Sequence, residues 1–252
     1  MSLLRMQLNA NDIAAELDTD GFVTIENALD EDWLNRAQSY IGQLIEKKGR
    51  VYFSLNGLSR EPGTPAYELA NDPAMMALMA DLSKLGCPTA RLEDEIYSCL
   101  RVVAGASGDE KSLIHHYDKY VITVLAPILI PEGLKRQAGE LVLFPNRRGY
   151  RPFAWLNILE KAVVQSGWYR RRFTEKLLRG GDEAIRHLKP GNLYLFWGYR
   201  TYHSNFPVAR DSVRATLLLH YGDPHPDSFI LNAVRSKQIG DERKILPQKE
   251  WH

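Results

Sequence analysis

The 252-residue sequence predicts a mainly β protein, with antiparallel strands closed into one barrel-like core and α-helices packed outside it. Three observations carry that expectation. Leu193–Trp197 and Val213–Tyr221 are rich in aromatic and branched residues, a composition that suits a pleated surface, and Asn205, Pro207 and Asp211 mark a turn between them. The apolar run from Tyr120 to Pro131 is too short to span a bilayer and has the composition of a buried strand. Gly139–Phe144 repeats the pattern as a short apolar stretch ending before a proline. Strand polarity and turn spacing then match a jelly roll, or cupin-like double-stranded β-helix, whose closure hides most strand edges. A chain of this length that is 44% hydrophobic can bury a substantial core, so one domain over 1–252 is expected.

Taken in order, Asp12 to Leu17 reads as a short helix ending before Gly21, followed by a strand from Phe22 to Ile25. Trp33, Leu34, Ala37, Tyr40, Ile41, Leu44 and Ile45 keep to one helical face, with Asp30 as N-cap and Gly49 as stop. Val51–Ser54 is expected as a strand and 57–65, GLSREPGTP, as loop. Asp72-Pro73 opens a helix over Ala74–Leu85, whose Met75, Met76 and Met79 are core fillers. Glu95–Val103 is a strand with Tyr97, Cys99 and Arg101 on one face, and 104–111 is a glycine-containing loop. The next strand runs from Asp118 to Ile130. An insertion over 146–189 interrupts the β pattern, with helical stretches at Trp155–Val164 and Tyr169–Leu178 stopped by Gly180-Gly181.

Composition excludes several functions. A net charge of +1 argues against a general nucleic-acid binder, which relies on a basic surplus. Cys87 and Cys99 are too few for a disulfide framework or a cysteine metal site, so two reduced thiols are expected. No signal-peptide core and no transmembrane run are present, which predicts a soluble, cytoplasmic protein.

The chemistry-bearing residues cluster in the strands. On Val213–Tyr221, Arg214, Thr216, Leu218 and His220 share one face and Val213, Ala215, Leu217 and Leu219 the other. A guanidinium aimed into a barrel needs an anion, and its planar fork suits a carboxylate. His203 lies eleven residues upstream. Further back, His116 and Asp118 sit two apart and point the same way from an extended chain, while His115 points away. Two histidines and one carboxylate with open positions form the facial triad of non-haem Fe(II) oxygenases. A second spacing of the same kind, His225-Pro226-Asp227, lies in a turn-like segment; it is read as no ligand pair, and His225 as insensitive to substitution.

With those residues in place, the chain resembles the Fe(II)/2-oxoglutarate-dependent dioxygenases, in particular their phytanoyl-CoA-dioxygenase-like branch. The opening LDTDGFVTIENALDEDWLNRAQSYI is similar to that family's start. The resemblance implies His116, Asp118 and His203 as the catalytic Fe(II) ligands, Arg214 as the holder of the far carboxylate of 2-oxoglutarate, and Thr216 as the end of an Arg-x-Ser/Thr pattern. It further implies that Tyr97 or Arg101, on the strand before the ligands, assists the co-substrate or simply packs. The expected reaction consumes O2 and 2-oxoglutarate, releases succinate and CO2, and hydroxylates an unactivated carbon; desaturation and ring closure need only a different substrate placement. Halogenation is disfavoured because Asp118 fills the position that related halogenases leave for chloride.

The substrate is expected to be small or medium-sized, and the insertion offers a reading of its charge. Its eleven Lys or Arg against four Asp or Glu concentrate positive charge, and Arg147, Arg148 and Arg151 with Trp155 are candidates to guide an anionic substrate. A solvated face through Arg170, Arg171 and Arg172, or docking on an acidic membrane through Trp168 and Tyr169, are the alternatives. A cupin-like metal-binding protein without oxygenase activity, or a Zn-dependent hydrolase, would use the same triad but has no need of Arg214.

Overall fold

The computed structural model describes residues 2–105, 112–132, 135–150, 175 and 182–225. Helix α1 (Ala10–Thr19) leads to strand β1 (Val23–Ile25) and helix α2 (Glu31–Lys48). Asp30 caps α2 by accepting from the Trp33 amide at 2.9 Å, and Gly49 closes it, as expected. Strand β2 spans Phe53–Asn56, two residues beyond the expected position. Where 57–65 was expected as loop, a 3₁₀ turn (Leu58–Arg60) precedes helix α3 (Pro65–Ala70). The cause is local: Thr64 accepts from the Tyr67 amide and Pro65 takes the first helical position, where a missing N–H costs nothing. Helix α4 (Pro73–Gly86) starts on the Asp72 carboxylate, which accepts from the amides of Ala74 and Met75.

The strands β3 (Tyr97–Ala104), β4 (Ile122–Leu129), β7 (Leu193–Trp197) and β9 (Val213–Tyr221) join β1 and β2 in a six-stranded antiparallel sheet of order β1-β7-β4-β9-β3-β2. A second sheet of order β6-β5-β8 comprises β5 (Leu141–Phe144), β6 (Ile185–Arg186) and β8 (Tyr202–Asn205). Strand β8 occupies the start of the stretch expected to be a turn. Its Tyr-His-Ser-Asn sequence lacks apolar alternation and becomes a strand by pairing with β5, Leu143 opposite His203.

The large sheet is buried on both faces, so its strands read as continuous apolar runs. Ala215, Leu217 and Leu219 of β9 pack in one cluster with Trp33, Ala37, Ile41 and Leu44 of α2 and Met75, Met79 and Leu82 of α4. Met75 and Met79 are fully buried, as their core reading required. From the opposite face, Cys99, Leu125, Tyr194, Phe196 and Leu218 meet Leu141 and Leu143 of the small sheet. That second cluster is the floor of a jelly-roll interior, and its polar edges hold the site.

Candidate active site

The backbone brings the three predicted ligands together. His116 and His203 exchange amide-to-carbonyl bonds at 2.9 and 3.0 Å, which extends the small sheet by one bridge, and the Asp118 amide donates to Gly198 O at 3.0 Å. His116 Nε2 lies 3.7 Å from Asp118 Oδ1 and His203 Nε2 lies 3.6 Å from Asp118 Oδ2. One ligand atom from each residue falls within 4.8 Å of the others. His116 Nδ1 is 2.9 Å from Ile114 O and His203 Nδ1 is 3.1 Å from Thr201 O. A carbonyl only accepts, so each Nδ1 carries the proton and each Nε2 presents its lone pair to the centre. Such outer bonds fix tautomer and ring orientation in metal-ligating histidines.

Electrostatics match a cation. Burial alone would raise the Asp118 carboxyl, but His203, His220 and His116 beside it and the Thr123 hydroxyl bring it down to about 2. Burial pushes His203 down to about 4 against the pull of Asp118, so its imidazole is neutral at neutral pH. Two imidazole nitrogens and an ionised carboxylate converge, the donor set of the facial triad. Gly198 makes the approach feasible: a Cβ there would lie 2.4 Å from Thr123 Oγ1 and 3.0 Å from Asp118 Cβ.

Thr123 and His220 complete a support that sequence reasoning had not assigned. Thr123 Oγ1 lies 2.6 Å from Asp118 Oδ2 and 3.0 Å from His220 Nδ1. An ionised carboxylate cannot donate, so the hydroxyl donates to Asp118 and accepts from His220 Nδ1–H. The inward face of β9 shows His220, and Thr123 stands directly opposite it on β4. Those two facts of alternation and register were the available signals.

Arg214 is 2% exposed and faces the interior, as predicted. Its Nη1 donates to Thr216 Oγ1 at 3.2 Å, and its Nε has no hydrogen-bond partner among the described residues. Burial and then the nearby Arg101 lower it to about 9, partly offset by Glu140 and Tyr52, so it remains cationic at neutral pH. Gly139, at φ +71°, leaves the space it occupies: a Cβ there would lie 2.2 Å from Arg214 Cδ. Thr216 and His220, four residues apart on one face, are separated by roughly 13 Å along β9. Leu218 lies between them, over the interior cluster.

A cleft of about 1080 Å³ opens on His116, Asp118 and His220, and Tyr97, Cys99, Arg101, Tyr117 and Tyr120 also line it. Tyr97 stacks on Tyr120 with centroids 5.7 Å apart, and Tyr120 stacks on His220 at 5.5 Å. Arg147 and Arg148 do not line the cleft. The Arg148 guanidinium sits 4.0 Å from the ring centroids of both Tyr117 and Tyr199, and its Nε donates to Tyr199 O at 2.6 Å. Arg147 lies over Phe144, with its guanidinium 5.9 Å from the ring centroid. Arg151, Trp155, Trp168, Tyr169 and Arg170–Arg172 lie outside the described residues, as does nearly all of the 155–178 helical expectation. His115 points away from the triad into Phe144 and Tyr202. His225, read as no ligand, is absent from the cluster that could hold a metal; it is buried, with Nε2 2.9 Å from Tyr199 Oη.

No protein-family model matches the sequence, and no curated protein matches it either. Solved structures do match in fold. EctD from S. alaskensis with bound Fe is 17% identical with a TM-score of 0.55, the match covering 88% of this chain and 82% of that one. The non-heme alpha ketoglutarate dependent epimerase SnoN from nogalamycin biosynthesis is 15% identical with a TM-score of 0.55, covering 85% and 83%. An oxidoreductase of the 2OG-Fe(II) oxygenase family from Burkholderia pseudomallei is 15% identical with a TM-score of 0.50, covering 87% and 92%. Among the described residues no helix is long and apolar enough to cross a membrane. With its two antiparallel sheets, the chain has a jelly-roll fold, and it is this fold that it shares with those solved structures.

Proposed function

We propose that the protein is an Fe(II)- and 2-oxoglutarate-dependent oxygenase that hydroxylates a carbon of a small or medium-sized organic substrate. The observation that carries this reading is the convergence of His116 Nε2, Asp118 and His203 Nε2 with both Nδ1 protons tied to backbone carbonyls. Fe(II) held there, with 2-oxoglutarate and O2, supplies the oxidising chemistry in which one oxygen atom enters succinate as CO2 leaves and the other converts C–H to C–OH.

The chain's own residues do the rest. His116 and His203, through Nε2, and Asp118, through its carboxylate, would hold the metal and would leave it positions for co-substrate and O2. Thr123 keeps the Asp118 carboxylate turned toward the imidazoles. Arg214, with Thr216 beside it, receives the distal carboxylate of 2-oxoglutarate, and the burial of both residues strengthens the ion pair by excluding water. Tyr97, lining the cleft beside His220, serves as a side wall for the co-substrate. A buried guanidinium whose Nε lacks a partner favours this reading over a Zn hydrolase or a redox-silent cupin-like module, neither of which needs an anion there.

Single-residue variants test the assignment. His116→Ala, Asp118→Ala and His203→Ala should abolish O2-dependent conversion of 2-oxoglutarate to succinate. Arg214→Ala should instead raise the 2-oxoglutarate requirement by about 1.5–3 kcal/mol, roughly 10- to 150-fold. Full succinate production by His203→Ala, or ordinary 2-oxoglutarate dependence in Arg214→Ala, would place the site elsewhere.

A further inference from the structure

We propose that Arg101 receives a carboxylate of the primary substrate, so that the enzyme acts on organic acids. This rests on the oxygenase reading above. Two arginines face the jelly-roll interior from neighbouring strands: Arg101 stands opposite Thr216 in the β3–β9 register, and Arg214 donates to that same threonine. They differ in depth. Arg214 is buried, is absent from the lining of the cleft and has Glu140 as a nearby opposite charge. Arg101 lines the cleft together with His116, Asp118 and His220. Among the described residues its buried Nε has no hydrogen-bond partner and its guanidinium makes no ion pair. Arg101 is therefore the guanidinium that meets a molecule entering the cleft beside the triad.

Charge selects the anion. The cleft wall also carries Glu93, Asp94, Glu95 and Asp118, four acids against the two further cations Lys119 and Arg60, and Arg60 is already paired with Glu95. A phosphate dianion would meet those carboxylates with surplus negative charge, whereas a single carboxylate matches one guanidinium and can take two parallel hydrogen bonds from it. Of the arginines that the sequence offered for this task, Arg147 and Arg148 do not line the cleft, and the Arg148 guanidinium lies between the rings of Tyr117 and Tyr199. Arg148 instead braces Tyr117, which lines the cleft between the two ligands His116 and Asp118.

The test uses the full chain loaded with Mn(II) and saturating 2-oxoglutarate under argon, with binding followed by isothermal titration calorimetry. Benzoate, phenylacetate and octanoate are titrated alongside their primary amides. At least one acid should bind the wild-type protein about tenfold or more tightly than its amide, since only the acid can pair with a guanidinium. Arg101→Gln should erase that preference, and Arg101→Lys, which keeps a charge but not the fork, should restore part of it. The 2-oxoglutarate affinity of Arg101→Gln should move by less than the acid affinity does, which also shows that the variant is folded. Absence of acid binding to the wild type, or equal acid binding in Arg101→Gln, overturns the proposal. A loss of 2-oxoglutarate affinity as large as the loss for the acid also overturns it and gives Arg101 to the co-substrate. Failure of the wild type to bind 2-oxoglutarate at all is a different result: it removes the oxygenase reading itself, and this assignment with it.

Discussion

Thr123→Val keeps the branched outline of the side chain and deletes one hydroxyl, and that hydroxyl joins two functional groups. It donates to Asp118 Oδ2 at 2.6 Å and accepts from His220 Nδ1 at 3.0 Å; Thr123 is fully buried, His220 is buried and Asp118 is partly so. A hydrogen bond to an ionised carboxylate contributes about 1.5–3 kcal/mol, and stranding the imidazole N–H adds about 1–3 kcal/mol of desolvation. The chelated metal offsets part of this, because the carboxylate then has another partner. What it cannot replace is orientation: without the hydroxyl, Asp118 can turn away from the two Nε2 atoms. Outer contacts of this kind are worth about 10- to 100-fold in metal affinity. The assay is Mn(II) binding under argon by competition with a chelator, with a thermal melt of the metal-free protein beside it. Affinity within about twofold of wild type in a folded Thr123→Val protein would refute the idea that Thr123 orients the ligand.

Two further outcomes follow from the same geometry. Gly139→Ala puts a Cβ 2.2 Å from Arg214 Cδ and 2.9 Å from Val208 Cγ2 at φ +71°, so it should weaken 2-oxoglutarate binding about tenfold or more while Mn(II) affinity holds; calorimetry with each ligand separates the two. The chelator-treated protein should lose stability on acidification. The folded pKa of His203, about 4, lies below its ordinary 6.5, so the unfolded chain binds the extra proton first and stability falls as pH drops from 6.5 through 4. Asp118, at about 2 against an ordinary 3.8, continues the loss below that. Together they amount to a few kcal/mol by order of magnitude, and thermal melts in a chelator across that range would show it; a flat profile contradicts the burial of neutral His203.

Much of the site was legible because strand alternation is so regular. The period of two on Val213–Tyr221 put Arg214 and Thr216 on the inner face and Leu217 and Leu219 on the outer one, and the structure keeps that division. The strand expected from Asp118 begins only at Ile122, so His116 and Asp118 converge through the single bridge of His116 to His203 and the Asp118 amide bond to Gly198 O rather than through strand alternation. Alternation says which way a residue points but not what faces it from another strand. Thr123 and His220 are ordinary strand residues until β4 and β9 align them, and Arg101 gains meaning only beside Thr216. Strand β8 was illegible because Tyr202–Asn205 owes its extended form to pairing with β5 rather than to its own composition. The buried position of His225 depends on a hydrogen bond to Tyr199, a partner 26 residues away, beyond the reach of any local pattern. The place of Arg148 between two rings was not legible from charge alone, since a guanidinium can lie between aromatic rings as readily as it faces solvent.

The central claim is that one pocket binds Fe(II) and 2-oxoglutarate together, and anaerobic visible spectroscopy tests it without knowledge of the substrate. Protein reconstituted with Fe(II) under argon should gain a weak visible charge-transfer band when 2-oxoglutarate is added, and Asp118→Ala should not. If neither ligand promotes binding of the other, and Zn(II) instead supports hydrolysis of ester or amide libraries, the triad serves a different chemistry and the oxygenase account is wrong.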